Sequence, residues 1–306
     1  MRKLLIISIH WLGDSFWDAQ ILPALKERYD CYLVCKSHSK DLFFHYLDSS
    51  RLVVCDNILS DRKRENFSIK NYFTELKECR KRNCDLVLDL SGNRYSAIFA
   101  FFCGIKKRFG VNEHKFSFLY TDKMEAFDYD LHLSYRPFHI LNKFGINQTY
   151  KEPTYFLRTE ISKSKIALLI PGAGWEAKKW SLEFFAKVGN LLKSKGFKVI
   201  ISGSPKEKCL VEKLRGSIVG AEVFKADLNH LFDLIPKVSV SIANDSGPGH
   251  LLAAAGSQHI SLFTYNTEPS KCQPVGKNVR VFQKDSKKNE EYFLSLLESE
   301  NFTINN

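Results

Sequence analysis

Short apolar runs alternate with helix-period segments along this chain, stop at a polar stretch, and then resume. Residues 4–9, 31–35, 52–54, 86–90 and 108–111 read as strands, with helices at 21–28 and 72–82 between them. Runs that are apolar at nearly every position, separated by helices, predict a parallel sheet covered on both faces. Residues 121–130 are polar and irregular, and 131–144 read as a helix interrupted at Pro137. Residues 151–165 are polar, contain Pro153, and form the expected linker. The alternation restarts with strands at 166–170, 199–202, 221–224, 238–242 and 259–263, and helices at 181–194 and 228–234. Two successive doubly wound α/β units fit this order. A last helix at 289–297 carries Tyr292, Phe293, Leu296 and Leu297 on one face, and the N-terminal unit is the expected place for it to pack.

Charge and cysteine usage narrow the function classes. A formal charge of +11 favours acidic partners: phosphorylated substrates, anionic lipid headgroups or nucleic acid. The basic clusters Arg62-Lys63-Arg64, Arg80-Lys81-Arg82 and Lys106-Lys107-Arg108 are dispersed and sit in no nucleic-acid motif, so no nucleic-acid partner is expected. No apolar run reaches membrane-spanning length. The apolar segment after Met1-Arg2-Lys3 is too short for a signal peptide and no cleavage site follows, so the chain is expected in the cytoplasm. Cys31 and Cys35 share one predicted strand and are separated by about 13 Å of rise, too far for a disulfide or a shared metal. Cys79 and Cys84 have no matching second pair, and free thiols in a reducing compartment are expected.

The chemistry concentrates at Ala243-Asn244-Asp245-Ser246-Gly247-Pro248-Gly249-His250. An apolar run precedes it and a small-residue helix follows. Pro248 suits the first helical turn, where its missing N–H costs nothing, and Gly256 suits the exit. Strand, Gly-containing turn and helix start together aim free backbone N–H groups at an anion, and the amides of Ser246 and Gly247 are the expected phosphate site. Asp245 is a ligand for substrate hydroxyls or a helix cap. His250 contacts phosphate or is a partly buried, satisfied histidine. Pro171-Gly172-Ala173-Gly174 ends another strand, and Gly172 and Gly174 form a possible donor loop because glycine lets a ligand approach the backbone. Its spacing is not a dinucleotide fingerprint. Lys178, just ahead of a helix, either reaches a phosphate or is solvated.

Asp14 follows the first strand, at the sheet edge where ligands bind in doubly wound folds. It is either a proton acceptor for a substrate hydroxyl or a helix N-cap. The aromatics around it, Trp11, Phe16 and Trp17, stack on a ligand or pack in the core. Asp128-Tyr129-Asp130 has metal-ligand spacing, but no strand precedes it, and no metal site is expected.

These segments together resemble a known family. Asp245-Ser246-Gly247-Pro248-x-His250-Leu251-x-Ala253-Ala254 resembles the signature of glycosyltransferase family 9, the bacterial heptosyltransferase family. Three more blocks agree in order: Leu12-Gly13-Asp14 with Leu25-Lys26-x-x-Tyr29; Asp85-Leu86-Val87-Leu88-Asp89-Leu90 with Arg94-x-Ser96-Ala97 and Lys107-Arg108-Phe109-Gly110; and Lys178-x-Trp180-Ser181-x-Glu183-x-Phe185-Ala186. The resemblance implies a GT-B fold, two Rossmann-like domains facing across a cleft. Residues 1–157 would form an acceptor-side domain, 158–285 a nucleotide-sugar domain, and 286–306 a helix crossing back to the first. It implies inverting sugar transfer without a metal or other cofactor. Asp14 would be the general base, Lys178 a donor-phosphate ligand, Asp245 a residue near the donor sugar, and Ser246, Gly247 and His250 the anion site. The implied partners are a nucleotide sugar, foremost ADP-heptose, and a glycan or glycolipid acceptor such as the lipopolysaccharide core, with possible peripheral association at the inner membrane. The chain departs from the family pattern at Gln20, Ser181, Gln258 and Thr264-Tyr265-Asn266-Thr267-Glu268-Pro269, so the donor is less constrained than the chemistry. A non-catalytic GT-B protein binding a nucleotide sugar or glycan, and a GT-B nucleotide-sugar epimerase, are the rival expectations.

Overall fold

The computed structural model describes residues 1–58, 67–153, 164–224, 227–284 and 287–298. Two compact units form, Met1–Lys151 and Glu152–Asn306. The boundary expected at 157/158 lies outside the described residues.

The first unit runs β1 (Lys3–Ile7), α1 (Leu12–Ala19), α2 (Leu22–Lys26), β2 (Asp30–Cys35), α3 (Lys40–Phe43), β3 (Leu52–Val54), α4 (Ile69–Lys81), β4 (Leu86–Asp89), α5 (Arg94–Phe102), β5 (Lys107–Val111), β6 (Asp122–Met124) and α6 (Arg136–Lys143). Its six strands are parallel, in the order β3-β2-β1-β4-β5-β6. The continuous apolar run of β1 has a simple cause. Leu4 and Ile6 point to one face, against Leu22 and Leu25 of α2 and Leu141 of α6. Leu5 and Ile7 point to the other, against Leu76 of α4 and Phe99 of α5. A strand buried on both faces has no place for a polar side chain.

Two sequence expectations need correction here. Pro137 does not interrupt a helix. It lies in the first turn of α6, where no intrahelical N–H is needed, and so opens it. The polar stretch 121–130 contains β6, a three-residue edge strand on β5.

The second unit runs β7 (Ile166–Ile170), α7 (Leu182–Ser194), β8 (Lys198–Ile201), α8 (Lys208–Ser217), β9 (Glu222–Val223), α9 (Leu228–Leu234), β10 (Val240–Asn244), α10 (Gly247–Ala254), β11 (Gln258–Thr264), α11 (Pro269–Cys272), β12 (Val279–Lys284) and α12 (Lys287–Glu298). Its parallel sheet has the order β12-β11-β10-β7-β8-β9. Counted within each unit, both sheets read 3-2-1-4-5-6, the Rossmann order. The chain reverses its direction of growth between β1 and β4 in one unit and between β7 and β10 in the other. Ligands of such sheets bind beyond the strand ends at that reversal.

The last helix also departs from expectation. Phe293 and Leu297 of α12 are buried in the second unit's own core. The Phe293 ring lies 5.3 Å from Phe184 of α7 and 4.6 Å from Phe282 of β12. Over its described residues the helix therefore packs on the unit it follows, covering an apolar face that α7 and β12 would otherwise leave wet. Residues 299–306 lie outside the described part. All eight cysteines are free thiols.

Candidate active site

At the first unit's reversal point, the chain leaves β1 through Ser8, Ile9 and His10 and enters α1. Trp11, not Asp14, occupies the N-cap position of α1, with extended backbone and no side-chain cap. Asp14 lies inside the first turn, so the capping alternative fails. A carboxylate there is favoured by the helix dipole. It is half-buried, and among the described residues no hydrogen bond or ion pair engages it. Phe16 and Trp17 are core side chains, 1 % and 4 % exposed, while Trp11 is 49 % exposed and stacks on His38 at 5.5 Å.

Beneath Asp14 lies a polar network that sequence reading missed. Asp18, one helical turn on and on the same face, is buried and accepts the Ser8 hydroxyl at 2.6 Å. His10 Nε2 lies 3.2 Å from the Leu90 carbonyl and 3.6 Å from the Asp18 carboxylate. Burial pushes the Asp18 carboxyl up, His10, Ser8 and Arg136 pull it down, and Asp14 adds to the rise. Arg136 is itself buried, donates to the Leu90 carbonyl, and pairs with Glu113 at 3.3 Å. Gly92, at φ +56°, leaves room for that guanidinium: a Cβ there would sit 2.5 Å from Arg136 Nη2. Asp89, at the end of β4, accepts the Ser91 and Gly92 amides at 2.9 and 3.2 Å and the Tyr120 hydroxyl at 2.7 Å. Gly110 lets the Tyr120 ring pass, since a Cβ would meet it at 2.3 Å. The Asp89 and Gly110 positions of the sequence block therefore shape the turn beyond β4.

At the second unit's reversal point, the turns after β7 and β10 meet. Asn244, fully buried, donates to the Pro171 carbonyl at 2.7 Å and accepts the Trp180 amide at 3.0 Å. The Trp180 indole N–H donates to the Phe263 carbonyl at 2.8 Å. These bonds hold the loop that carries Lys178. Its ammonium pairs with the Asp245 carboxylate and lies 4.0 Å from the Trp175 ring centroid. The two side chains are 12 % and 8 % exposed, so this pair is poorly screened compared with a surface one. Thr264 and Asn266, both in the divergent loop, donate to the Ala177 carbonyl at 2.8 and 3.0 Å. The divergence thus supplies a clamp on the lysine loop.

Ser246 is the N-cap residue of α10, but its hydroxyl caps nothing. That oxygen is buried and has no partner among the described residues. The Ser246 and Gly247 amides likewise have no acceptor there. Unmade hydrogen bonds of this kind are expensive, and donors left open at a helix start suit an anion. His250 is buried one turn in. Behind it His259, fully buried, is held neutral: burial first, then the neighbouring His250, push it down to about 3. Gly174 faces open space, whereas Gly172 is explained without a ligand: a Cβ would lie 2.0 Å from the Glu207 carboxylate. Lys178, Asp245, Ser246, Gly247 and His250 therefore gather on one edge, and Asp14 stands on the equivalent edge of the first unit. Asp128 accepts its own neighbour's amide, Asp130 N–H, at 2.9 Å in a local turn. Among the described residues no cluster of His, Cys, Asp and Glu has metal-holding geometry.

The model of glycosyltransferase family 9 (heptosyltransferase) matches residues 75–294. The chain belongs to this family. A curated relative, lipooligosaccharide heptosyltransferase 2 of Haemophilus ducreyi, is 23 % identical over 92 % of this chain and 88 % of its own length. Among solved structures, Escherichia coli heptosyltransferase WaaC with ADP superposes with a TM-score of 0.78 at 18 % identity, covering 97 % of this chain and 99 % of that one. Escherichia coli ADP-heptose lps heptosyltransferase II does so at 0.76 and 18 %, covering 97 % of each. The fold is GT-B, and the chain is a glycosyltransferase by family. No helix among the described residues is long and apolar enough to cross a membrane.

Proposed function

We propose that this protein transfers heptose from ADP-heptose to the growing core of a bacterial lipopolysaccharide, with inversion and without a metal. The observation that carries the reading is the set of unanswered donors at the second unit's edge, the Ser246 hydroxyl and the Ser246 and Gly247 amides, beside the Lys178 ammonium. That set matches a diphosphate. The heptosyl donor and lipopolysaccharide acceptor are taken from what the relatives are named for.

In this reading the donor's diphosphate lies against the start of α10, and Lys178 exchanges part of its contact with Asp245 for phosphate oxygens. As the anomeric carbon–oxygen bond breaks, negative charge grows on the departing ADP. The ammonium and the preorganised amides meet that charge without reorganising, the role a metal ion plays in other transferases. Asp14 takes the proton from the acceptor hydroxyl as its oxygen attacks the opposite face of the sugar. Asp18 and His10 keep the first turn of α1 in place beneath it. The lipid-anchored acceptor and the net charge of +11 support work at the cytoplasmic face of the inner membrane.

The test is ADP release from ADP-heptose, measured with and without a truncated lipopolysaccharide acceptor. Release that requires the acceptor and yields a heptosylated product supports the transferase. Donor turnover without acceptor would point to an epimerase, and binding without turnover to a non-catalytic protein; either result removes the proposal.

A further inference from the structure

One face of the first unit, formed by α5 and its neighbours, exposes phenyl rings among cations. Phe101 and Phe102, in the last turn of α5, are each 45 % exposed, and Phe118, in the 3-10 turn Lys115–Leu119 packed beside α5, is 64 % exposed. Arg80, Lys106 and Lys107 stand exposed around them. The surface is tied together rather than loose. Arg80 donates to the Phe102 carbonyl through Nε at 3.0 Å and Nη2 at 2.6 Å. Arg108 donates to the Leu119 and Ile105 carbonyls at 2.8 and 2.7 Å, with its guanidinium 5.4 Å from the Phe101 ring. Of the acids nearest in sequence, Glu78 pairs with Lys81 at 2.5 Å, Asp85 accepts the Lys3 amide at 2.8 Å, Glu113 pairs with Arg136, and Asp122 accepts the Thr121 hydroxyl at 2.8 Å. Among the described residues Asp122, at the margin of the face, thus adds an acid without a cationic partner.

We propose that this face docks on an anionic lipid bilayer. The phenyl rings enter the headgroup boundary, and the cations lie over lipid phosphates with their alkyl stems beside the rings. Neither element suffices alone: weak apolar insertion and a polybasic patch hold a protein to a membrane by acting together. Charge decides against a second copy of this chain as the occupant. A two-fold contact would set this basic face against itself. The Phe101 and Phe102 rings meet at 75°, edge to face, and so offer no parallel platform for stacked bases. The choice of a bilayer rests on the reading of the chain as a transferase for a lipid-anchored glycan. The apolar and basic character of the face does not.

The experiment floats the full chain with vesicles of phosphatidylglycerol and phosphatidylcholine, and with phosphatidylcholine alone. The expected result is binding to the anionic vesicles that falls with salt, and affinity about tenfold weaker for K106E/K107E and for F101S/F102S at equal salt. F118S provides an independent variant should the double phenylalanine change lower the unfolding midpoint. Equal binding to both vesicles, wild-type binding by the phenylalanine variants, or displacement of the vesicles by RNA would each overturn the proposal. ADP release with a water-soluble acceptor separates the two readings. The variants should keep wild-type turnover there. If the wild type fails to transfer yet still floats, the transferase reading falls and the docking face stands.

Discussion

The turn that leaves β1 and the turn that leaves β7 occupy the same place in the same strand order, yet they present opposite chemistry. Beyond β1 the polar groups satisfy one another. Asp18, His10, Arg136, Glu113 and Asp89 are bonded internally, and among the described residues the Asp14 carboxylate is left over. Beyond β7 and β10 the surplus is of donors: a buried hydroxyl, two amides and a lysine whose carboxylate partner is a neighbour in the same site. On the proposed reading, the first edge accepts a proton and the second receives an anion. The Rossmann topology fixes where a site lies, and the residues after each strand decide what charge it seeks.

The sharpest way to break this comparison is Asp14→Asn, which removes the proposed base and keeps the shape. Turnover should fall by about 10³-fold if general-base catalysis operates here, read by ADP release under saturating donor. Lys178→Ala should lower kcat/KM by about 10²-fold, the scale of one lost charge-stabilising group at a developing anion. Lys178→Arg should recover part of that loss. Ser246→Ala should weaken ADP binding by about tenfold, as expected for one hydrogen bond to a charged group; an unchanged affinity would remove the orphan hydroxyl from the anion site.

The smallest effect concerns stability and separates the units by pH. His259 is depressed from 6.5 to about 3, so the folded second unit excludes a proton that the unfolded chain binds. The stability this contributes is complete above about pH 6.5 and is lost as pH falls through the folded value. Asp18 and Asp89 are raised by burial and have the opposite sign: their contribution is complete at low pH and lost as pH rises through their folded values. Acidification from pH 7.5 to 4.5 should therefore lower amide protection factors, taken relative to the intrinsic exchange rate at each pH, in β10 and β11 more than in β1 and β4. His259→Gln should flatten that difference.

The two sheets and the strand–turn–helix edge after β10 were legible because they rest on local patterns. The run Leu4–Ile7 is apolar at every position because both faces of β1 are covered, and the Asp245–His250 segment is contiguous in the chain. The helix α5 was missed because its residues after the first turn, 97–102, are all apolar and show no period, although the Asn93–Ser96 capping box marks its start. The edge strand β12 was missed because Arg280 and Gln283 interrupt its apolar residues where only half of the strand is covered. The network under Asp14 had no local signal at all. Asp18 accepts from a serine ten positions earlier, and Arg136 bonds a carbonyl 46 positions earlier, so only the fold brings them together. The final helix was misplaced for a related reason: its apolar stripe shows that it must pack, and the partner is set by which face remains uncovered.

The division of labour between the two edges is tested most directly by calorimetric titration of ADP into Asp14→Asn and Lys178→Ala side by side. The account predicts wild-type affinity for the aspartate variant and clearly weakened affinity for the lysine variant. Equal weakening in both, or ADP binding untouched by loss of the lysine, would contradict it.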